Sequence, residues 1–205
     1  VSTGMADLEE VSEAISVIDE ERLKSGGRLS LSEMVTLLHC TSNYPAPLHD
    51  VNLRAMQTLS RTFGLPVGYS DHTAGISVGP VARALGATVY EKHFTLDRTL
   101  PGPDHPASLE PAELAQLVRS IRDVDVMLGS DVKQPTAAEI EVRVAARRSV
   151  TVSKTIAAGE MLTADALVLM RPGDGIAPRE LEQVVGRRVR RKLPAGTTLN
   201  WDDLE

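Results

Sequence analysis

Residues 66–94 read PVGYSDHTAGISVGPVARALGATVYEKHF, and this stretch decides the fold. Its beginning, residues 66–69, and its end, residues 87–91, have the length and composition of buried strands. Residues 76–85 between them carry apolar side chains at helical spacing. A strand, a helix and a second strand in this order are typical of a parallel βα unit.

The same alternation extends in both directions along the chain. Residues 34–38 predict a further strand, residues 51–63 and 111–128 predict helices, and Asp7 with Glu10 predicts a capped helix over 7–24. Val1 to Gly4 resembles the end of a strand, so we expect a chain that starts within a domain. Four strand ends predict an α/β fold that is the C-terminal half of a TIM (β/α)8 barrel.

A second, smaller domain follows. Beyond Gly129 a short helix is predicted over 137–144, and then short strands alternate with frequent turns at glycine and proline. We therefore predict a half barrel over 1–130, a linker helix within 131–146 and a β-rich domain over 147–205.

Composition excludes several classes of function. The chain has 205 residues, 42% hydrophobic and 24% charged, with a net charge of −6. Such a charge is a poor match for nucleic acid or for an anionic membrane. No segment approaches the ~20 apolar residues of a membrane span, and no signal-peptide pattern is present, so we expect a cytoplasmic protein. The single Cys40 is interpreted as a packing residue, with a role in lining a site as the alternative.

Polar residues follow two neighbouring strands at the point where each strand ends. Side chains alternate along a strand, so Ser70 shares a face with His72, and Glu91 shares a face with His93. Two imidazoles and a carboxylate on adjacent strands suit a divalent metal with open positions. Each histidine alone fits a packing role better, but the pairing favours the metal. Lys92 faces the other way and predicts a structural ion pair.

Other segments carry weaker signals. Residues 39–47 offer hydroxyl and amide groups for phosphate or carboxylate, or form a turn stiffened by proline. Residues 101–105 lie in a long loop after the last predicted strand. Arg171 lies at a tight turn, where it binds either an oxygen-rich ligand or water. The run Arg147-Arg148 and the arginines over 187–191 are interpreted as solvated or interface charges.

These motifs together resemble the N-acetylneuraminate (sialic acid) synthase family, which includes the legionaminate and pseudaminate synthases. The resemblance runs over nearly the whole chain and ends in an antifreeze-like (SAF) domain. It is carried by residues 2–5, 38–47, 68–73, 91–95, 102–105 and 171–176.

The resemblance implies an enzyme that condenses phosphoenolpyruvate with an N-acylated amino sugar to a nonulosonic acid and releases phosphate. It implies His72 and His93 as ligands of Mn²⁺ or Mg²⁺, and Glu91 as a catalytic acid near the sugar. The substrate-binding residues that it implies are Ser2, Ser42, Asn43, Tyr44, Pro45, Ser70, Asp104, His105 and Arg171. The choice between Ser42 and Asn43 as the phosphoenolpyruvate ligand stays open.

The family also implies a head-to-tail homodimer, in which the SAF domain covers the partner's barrel and Arg171 reaches the partner's site. A half barrel exposes its interior and two strand edges, so we expect residues 1–205 alone to be inactive. The alternative is a non-catalytic sugar-binding or assembly module derived from such an enzyme. An ice-binding surface is disfavoured, because the tail has many charged residues.

Overall fold

The computed structural model describes residues 1–205 and divides them into two compact units. The first unit spans Val1–Asp131 and the second spans Val132–Glu205. The helix predicted as a linker therefore groups with the second unit. No helix in either unit combines the length and the apolar character that crossing a bilayer requires.

A parallel sheet organises the first unit. Its strands are β1 (Leu37–Cys40), β2 (Val67–Asp71) and β3 (Val89–Lys92), in the order β1-β2-β3. Ser2 forms a parallel bridge to Leu38, which places the N-terminal segment beside β1. The predicted parallel βα arrangement is confirmed, and the outer edge of β3 pairs with no further strand.

Five helices accompany this sheet. They are α1 (Leu8–Lys24), α2 (Leu31–Met34), α3 (Arg54–Phe63), α4 (Val78–Ala84) and α5 (Pro111–Leu128). Asp7 and Glu10 form the predicted capping box of α1, since each side chain accepts a hydrogen bond from the other's backbone N–H. The predicted bounds of α5 are confirmed.

The first strand starts and ends later in the chain than the sequence predicts. The apolar run over 34–38 predicted a strand from residue 34, but Met34 closes a helical turn and is half exposed. Ser30 and Glu33 cap that turn, with the Ser30 N–H donating to Glu33 Oε2 at 2.7 Å. This local cap outweighs the apolar pattern, so β1 starts at Leu37 and continues to Cys40.

The core of the first unit lies between the sheet and its helices. Leu37, Met56 and Tyr69 are fully buried there. Gly68 lies in the middle of β2, where a Cβ would stand 2.6 Å from Leu38 Cδ2 and also collide with the Val89 carbonyl. The glycine therefore permits the close approach of the neighbouring strands.

The second unit is a small β-rich domain that begins with α6 (Ala137–Ala146). An antiparallel pair follows, formed by β4 (Ser149–Val152) and β5 (Leu167–Met170), and later α7 (Leu181–Val184). Isolated bridges link Thr151 to Thr198 and Ile156 to Leu193. Eleven buried side chains form its separate core. The predicted alternation of short strands and turns in this domain is confirmed.

His39 on β1 predicts a pH dependence of stability. Its Nε2 donates to the Val51 carbonyl at 2.9 Å, and burial lowers the pKa of the imidazole despite this bond. The unfolded chain therefore binds more protons than the folded unit near the usual histidine pKa of about 6.5. We expect the free energy of unfolding of the first unit to fall as pH falls from 7 to 5.

The measurement is the urea concentration at which the first unit is half unfolded. Hydrogen exchange of peptides from this unit gives that midpoint at each pH. In a His39→Gln variant, which keeps a donor for Val51, the decline should be smaller. A His49→Gln variant is the matched control, because the His49 side chain is 81% exposed. Equal pH dependence in all three proteins would contradict the prediction.

Candidate active site

The C-terminal ends of β2 and β3 bring four of the predicted residues together. Ser70 pairs in register with Glu91, and its hydroxyl donates to Glu91 Oε1 at 2.6 Å. His72 and His93 follow two residues later on each strand. A cavity of about 300 Å³ is lined by Ser70, Asp71, His72, Glu91, Lys92 and His93.

The two imidazoles lie side by side. Their ring centroids are 5.6 Å apart and the ring planes meet at 64°. His72 Nδ1 donates to the Thr41 carbonyl at 2.7 Å, since a carbonyl oxygen only accepts. The neutral ring then carries its lone pair on Nε2, which lies 2.9 Å from the Tyr44 hydroxyl. The backbone thus fixes the orientation and the tautomer of His72.

Tyr44 lies over both imidazoles. Its ring stacks on His72 at 4.1 Å between centroids and meets His93 edge-on at 5.6 Å. The Ala46 N–H donates to the His72 carbonyl at 2.9 Å and holds the loop after β1 against the end of β2. Tyr44 remains 54% exposed, so its aromatic face is available to a ligand.

A buried ion pair supports the site, and its residues alternate along the strands with Ser70 and Glu91. Lys92 Nζ lies 2.8 Å from Asp71 Oδ2, and the two side chains are 3% and 0% exposed. Lys92 also donates to the Thr73 carbonyl, and the Tyr90 hydroxyl donates to Asp71. Burial, and then the charge of Asp71, raises the pKa of the Tyr90 phenol far above its usual value. The structural ion pair predicted for Lys92 is confirmed.

The donors at the site fit a metal only in part. No group of three or more His, Cys, Asp or Glu side chains is arranged to hold a metal ion. Both imidazoles and Glu91 line one cavity, but Glu91 bonds to Ser70 and the three side chains are not arranged as a set of metal ligands. Two adjacent imidazoles still offer nitrogen ligands of the kind that first-row divalent metals accept.

The other predicted residues of the first unit are dispersed. Ser2 lies beside β1, and Ser42 Oγ lies near the Gly4 backbone that follows Ser2. Asn43 and Pro45 are exposed in the same loop as Tyr44.

No contact joins the 101–105 loop to the histidine pair. His105 Nδ1 bonds with the Thr95 hydroxyl at 2.7 Å, while Asp104 is exposed. In the second unit, Arg171 is exposed and its Nε donates to the Ala146 carbonyl at 2.9 Å.

Sequence reasoning missed Asp71 and Tyr90 as supports of the site. Both residues lie on the strands that carry Ser70 and Glu91, and they alternate along those strands with the residues to which the sequence analysis assigned the chemistry. The signal that could have found them is an acid and a lysine at paired register positions, Asp71 and Lys92.

Comparison with known proteins adds to this geometry. Residues 1–133 match the NeuB family, and residues 147–205 match the SAF domain. The chain belongs to the NeuB family. The predicted fold class, a partial TIM-type barrel followed by a SAF domain, agrees with this membership.

Relatives of this NeuB-family chain are similar over nearly its whole length. It is 51% identical, over 100% of its residues, to the N,N'-diacetyllegionaminic acid synthase of Legionella pneumophila and covers 56% of that protein. It is 38% identical, over 92%, to the human N-acetylneuraminate-9-phosphate synthase and covers 50% of it.

A solved structure is similar too. The Bacillus subtilis spore coat polysaccharide biosynthesis protein SpsE is 34% identical, with a TM-score of 0.55, over 100% of this chain and 60% of SpsE. The chain thus spans between half and two thirds of each of these proteins.

Proposed function

We propose that this chain supplies part of the active site of an enzyme that condenses phosphoenolpyruvate with an N-acylated amino sugar. The observation that carries the proposal is the joined cluster of Ser70, Glu91, His72 and His93 at the ends of β2 and β3. Active sites of (β/α) barrels lie at that end of the strands. The legionaminic and neuraminic acid synthases among its relatives favour a nonulosonic acid as product.

His72 and His93 would hold the divalent cation, Mn²⁺ or Mg²⁺. When bound, such an ion acts as a Lewis acid that polarises a carbonyl oxygen. The hydrogen bond from His72 Nδ1 to the Thr41 carbonyl keeps the Nε2 lone pair available for this role. The Tyr44 hydroxyl, which bonds that nitrogen, would turn toward the sugar when the nitrogen holds the cation.

Glu91 is suited to proton transfer or to holding a sugar hydroxyl. Ser70 occupies its Oε1, which leaves Oε2 to face the cavity. In the condensation, a bond forms between C3 of phosphoenolpyruvate and the aldehyde carbon, water adds at C2, and phosphate leaves. The attacking water must give up a proton and the alkoxide must take one up, so the cavity needs a group that accepts and donates protons.

The dispersed residues complete the proposal. Ser2 and Ser42 or Asn43 would contact phosphoenolpyruvate with Ser70, while Tyr44 and Pro45 would line the sugar pocket with Asp104 and His105. Arg171 would reach the amino sugar of the partner subunit in a homodimer. Its Nε is fixed by the Ala146 carbonyl, and its two terminal nitrogens are left to bind oxygen.

The test is phosphate release by a chimera that joins residues 1–205 to the part of the Legionella pneumophila relative that this chain does not match. With Mn²⁺, phosphoenolpyruvate and an N-acylated amino sugar, the chimera should release phosphate, and omission of the sugar should stop it. Residues 1–205 alone should release none. A folded chimera that fails with every acylated amino sugar tried, while the intact relative works, would contradict the proposal.

A further inference from the structure

A cavity in the second unit is lined by arginines. It measures about 420 Å³, and Arg143, Arg147, Arg148 and Arg179 line it together with the backbone of Gly173 and Gly175. Arg143 lies in the last turn of α6, Arg147 caps that helix, and Arg179 comes from a separate turn, Pro178–Glu180. Two segments of the unit, the end of α6 and the Pro178–Glu180 turn, thus bring positive charge to one space.

The backbone holds these segments in place. A Cβ on Gly173 would stand 2.5 Å from Arg147 Cβ, so the loop approaches the end of α6 more closely than another residue allows. Gly173 N–H donates to the Val144 carbonyl at 2.7 Å, and Gly175 N–H donates to Ser149 Oγ at 2.9 Å. These backbone donors are used within the protein, which leaves the guanidinium groups as donors for a ligand.

The four arginines are exposed, and none of them takes part in the ion pairs of the unit, which join Lys154 to Asp165 and Arg191 to Asp203. Their guanidinium groups also donate no side-chain hydrogen bond within the unit. The other arginines of the unit all donate side-chain hydrogen bonds, and they are Arg171, Arg187, Arg188, Arg190 and Arg191. Two carboxylates lie near them in the sequence: Glu180 accepts from the Ala177 N–H, and Asp174, between the two lining glycines, is exposed and does not line the cavity.

Helix electrostatics explains only part of this arrangement. The C-terminus of α6 carries a partial negative charge that favours Arg143 and Arg147 nearby. That charge is about half an elementary charge, and it does not account for Arg148 and Arg179 as well. Four like charges around one cavity repel each other, on a chain whose net charge is −6. An anion in the cavity would remove this repulsion.

We propose that this cavity binds a small phosphate-bearing anion. Planar guanidinium forks match the oxygens of phosphate in pairs, and several forks can share one tetrahedral group. The volume falls within the range of small-molecule sites, about 300–1,000 Å³, and admits a phosphate ester with a small organic part. None of the residues assigned to the condensation lines this cavity, although Arg171 is held beside it by its bond to the Ala146 carbonyl.

The test is calorimetric titration of residues 1–205 with inorganic phosphate and, separately, with glucose 6-phosphate as an ester probe. We expect one saturable site that weakens as salt rises. Arg147→Gln and Arg179→Gln should each weaken binding at least about ten-fold, as the loss of a charge-assisted hydrogen bond predicts. The double variant should show no saturation.

The matched control is Arg54→Gln, which removes the same charge from an exposed position in the first unit. It should bind like the unchanged chain, and the fluorescence of Trp201 verifies that every variant keeps the second unit folded. Phosphate that binds equally to the double variant, or no saturable binding of either probe, would overturn the proposal. Salt-sensitive self-association that the arginine variants abolish, without phosphate binding, would identify the cavity as an interface between copies and also overturn it.

Discussion

Replacing Asp71 with alanine is expected to lower the free energy of unfolding of the first unit by about 3–5 kcal/mol. The variant leaves Lys92 charged and without its carboxylate in a place where its side chain is 3% exposed. It also removes the acceptor of the Tyr90 hydroxyl and of the Thr73 N–H. An unpaired buried charge costs more than the pair contributes, which is why the expected loss is large.

Urea unfolding measures this loss, with hydrogen exchange of β1, β2 and β3 reporting the first unit. Trp201 is the only tryptophan and lies in the second unit, so its fluorescence midpoint should stay unchanged. Asp125→Ala is the matched control, because its ion pair with Arg83 is partly exposed and should contribute less than about 1 kcal/mol. Equal losses in the two variants would contradict a special role for Asp71.

The network around Asp71 links stability to the site. Asp71 and Lys92 precede His72 and His93 directly on their strands and form a register pair. The salt bridge therefore ties the last residues of β2 and β3 together directly before the two histidines. The charged pair thereby favours one register over a slipped one.

The sequence predicted most of the elements because their signals are local. The helix predicted over 111–128 has the expected bounds, and the predicted cap at Asp7 is present. The two-residue period of strands predicts the faces that carry Ser70 and Glu91, while their pairing depends on the register of β2 and β3.

What could not be predicted depends on contacts distant in sequence. The bond between Tyr44 and His72 joins residues 28 positions apart across a loop whose path no local pattern gives. The arginines at 147 and 148 were interpreted as solvated or interface charges, and only the fold places them around one cavity with Arg179. The spacing of charged residues along the sequence does not show which of them line the same cavity in the fold.

Substitution of His93 by alanine is expected to weaken Mn²⁺ binding to residues 1–205 at least about 100-fold. Loss of a residue that only hydrogen-bonds to a metal ligand already lowers metal affinity about 10–100-fold, and loss of a ligand itself should cost more. His72→Ala should have an effect of the same size. The reason is geometric: the two rings stand 5.6 Å apart, and no third His, Cys, Asp or Glu is arranged with them to hold a metal. A site of two protein ligands cannot lose one and keep its affinity.

Electron paramagnetic resonance of free Mn²⁺ measures the binding, and phosphate release by the chimera measures the consequence for catalysis. His49→Ala is the control, since that histidine is exposed and does not line the cavity, so its loss should change neither quantity. Tyr44→Phe tests the geometry further: it removes the hydroxyl that bonds His72 Nε2, so Mn²⁺ binding should be kept or strengthened. Unchanged binding in both histidine variants would exclude the imidazole pair as the metal site, while absence of binding in the unchanged chain would favour the non-catalytic alternative.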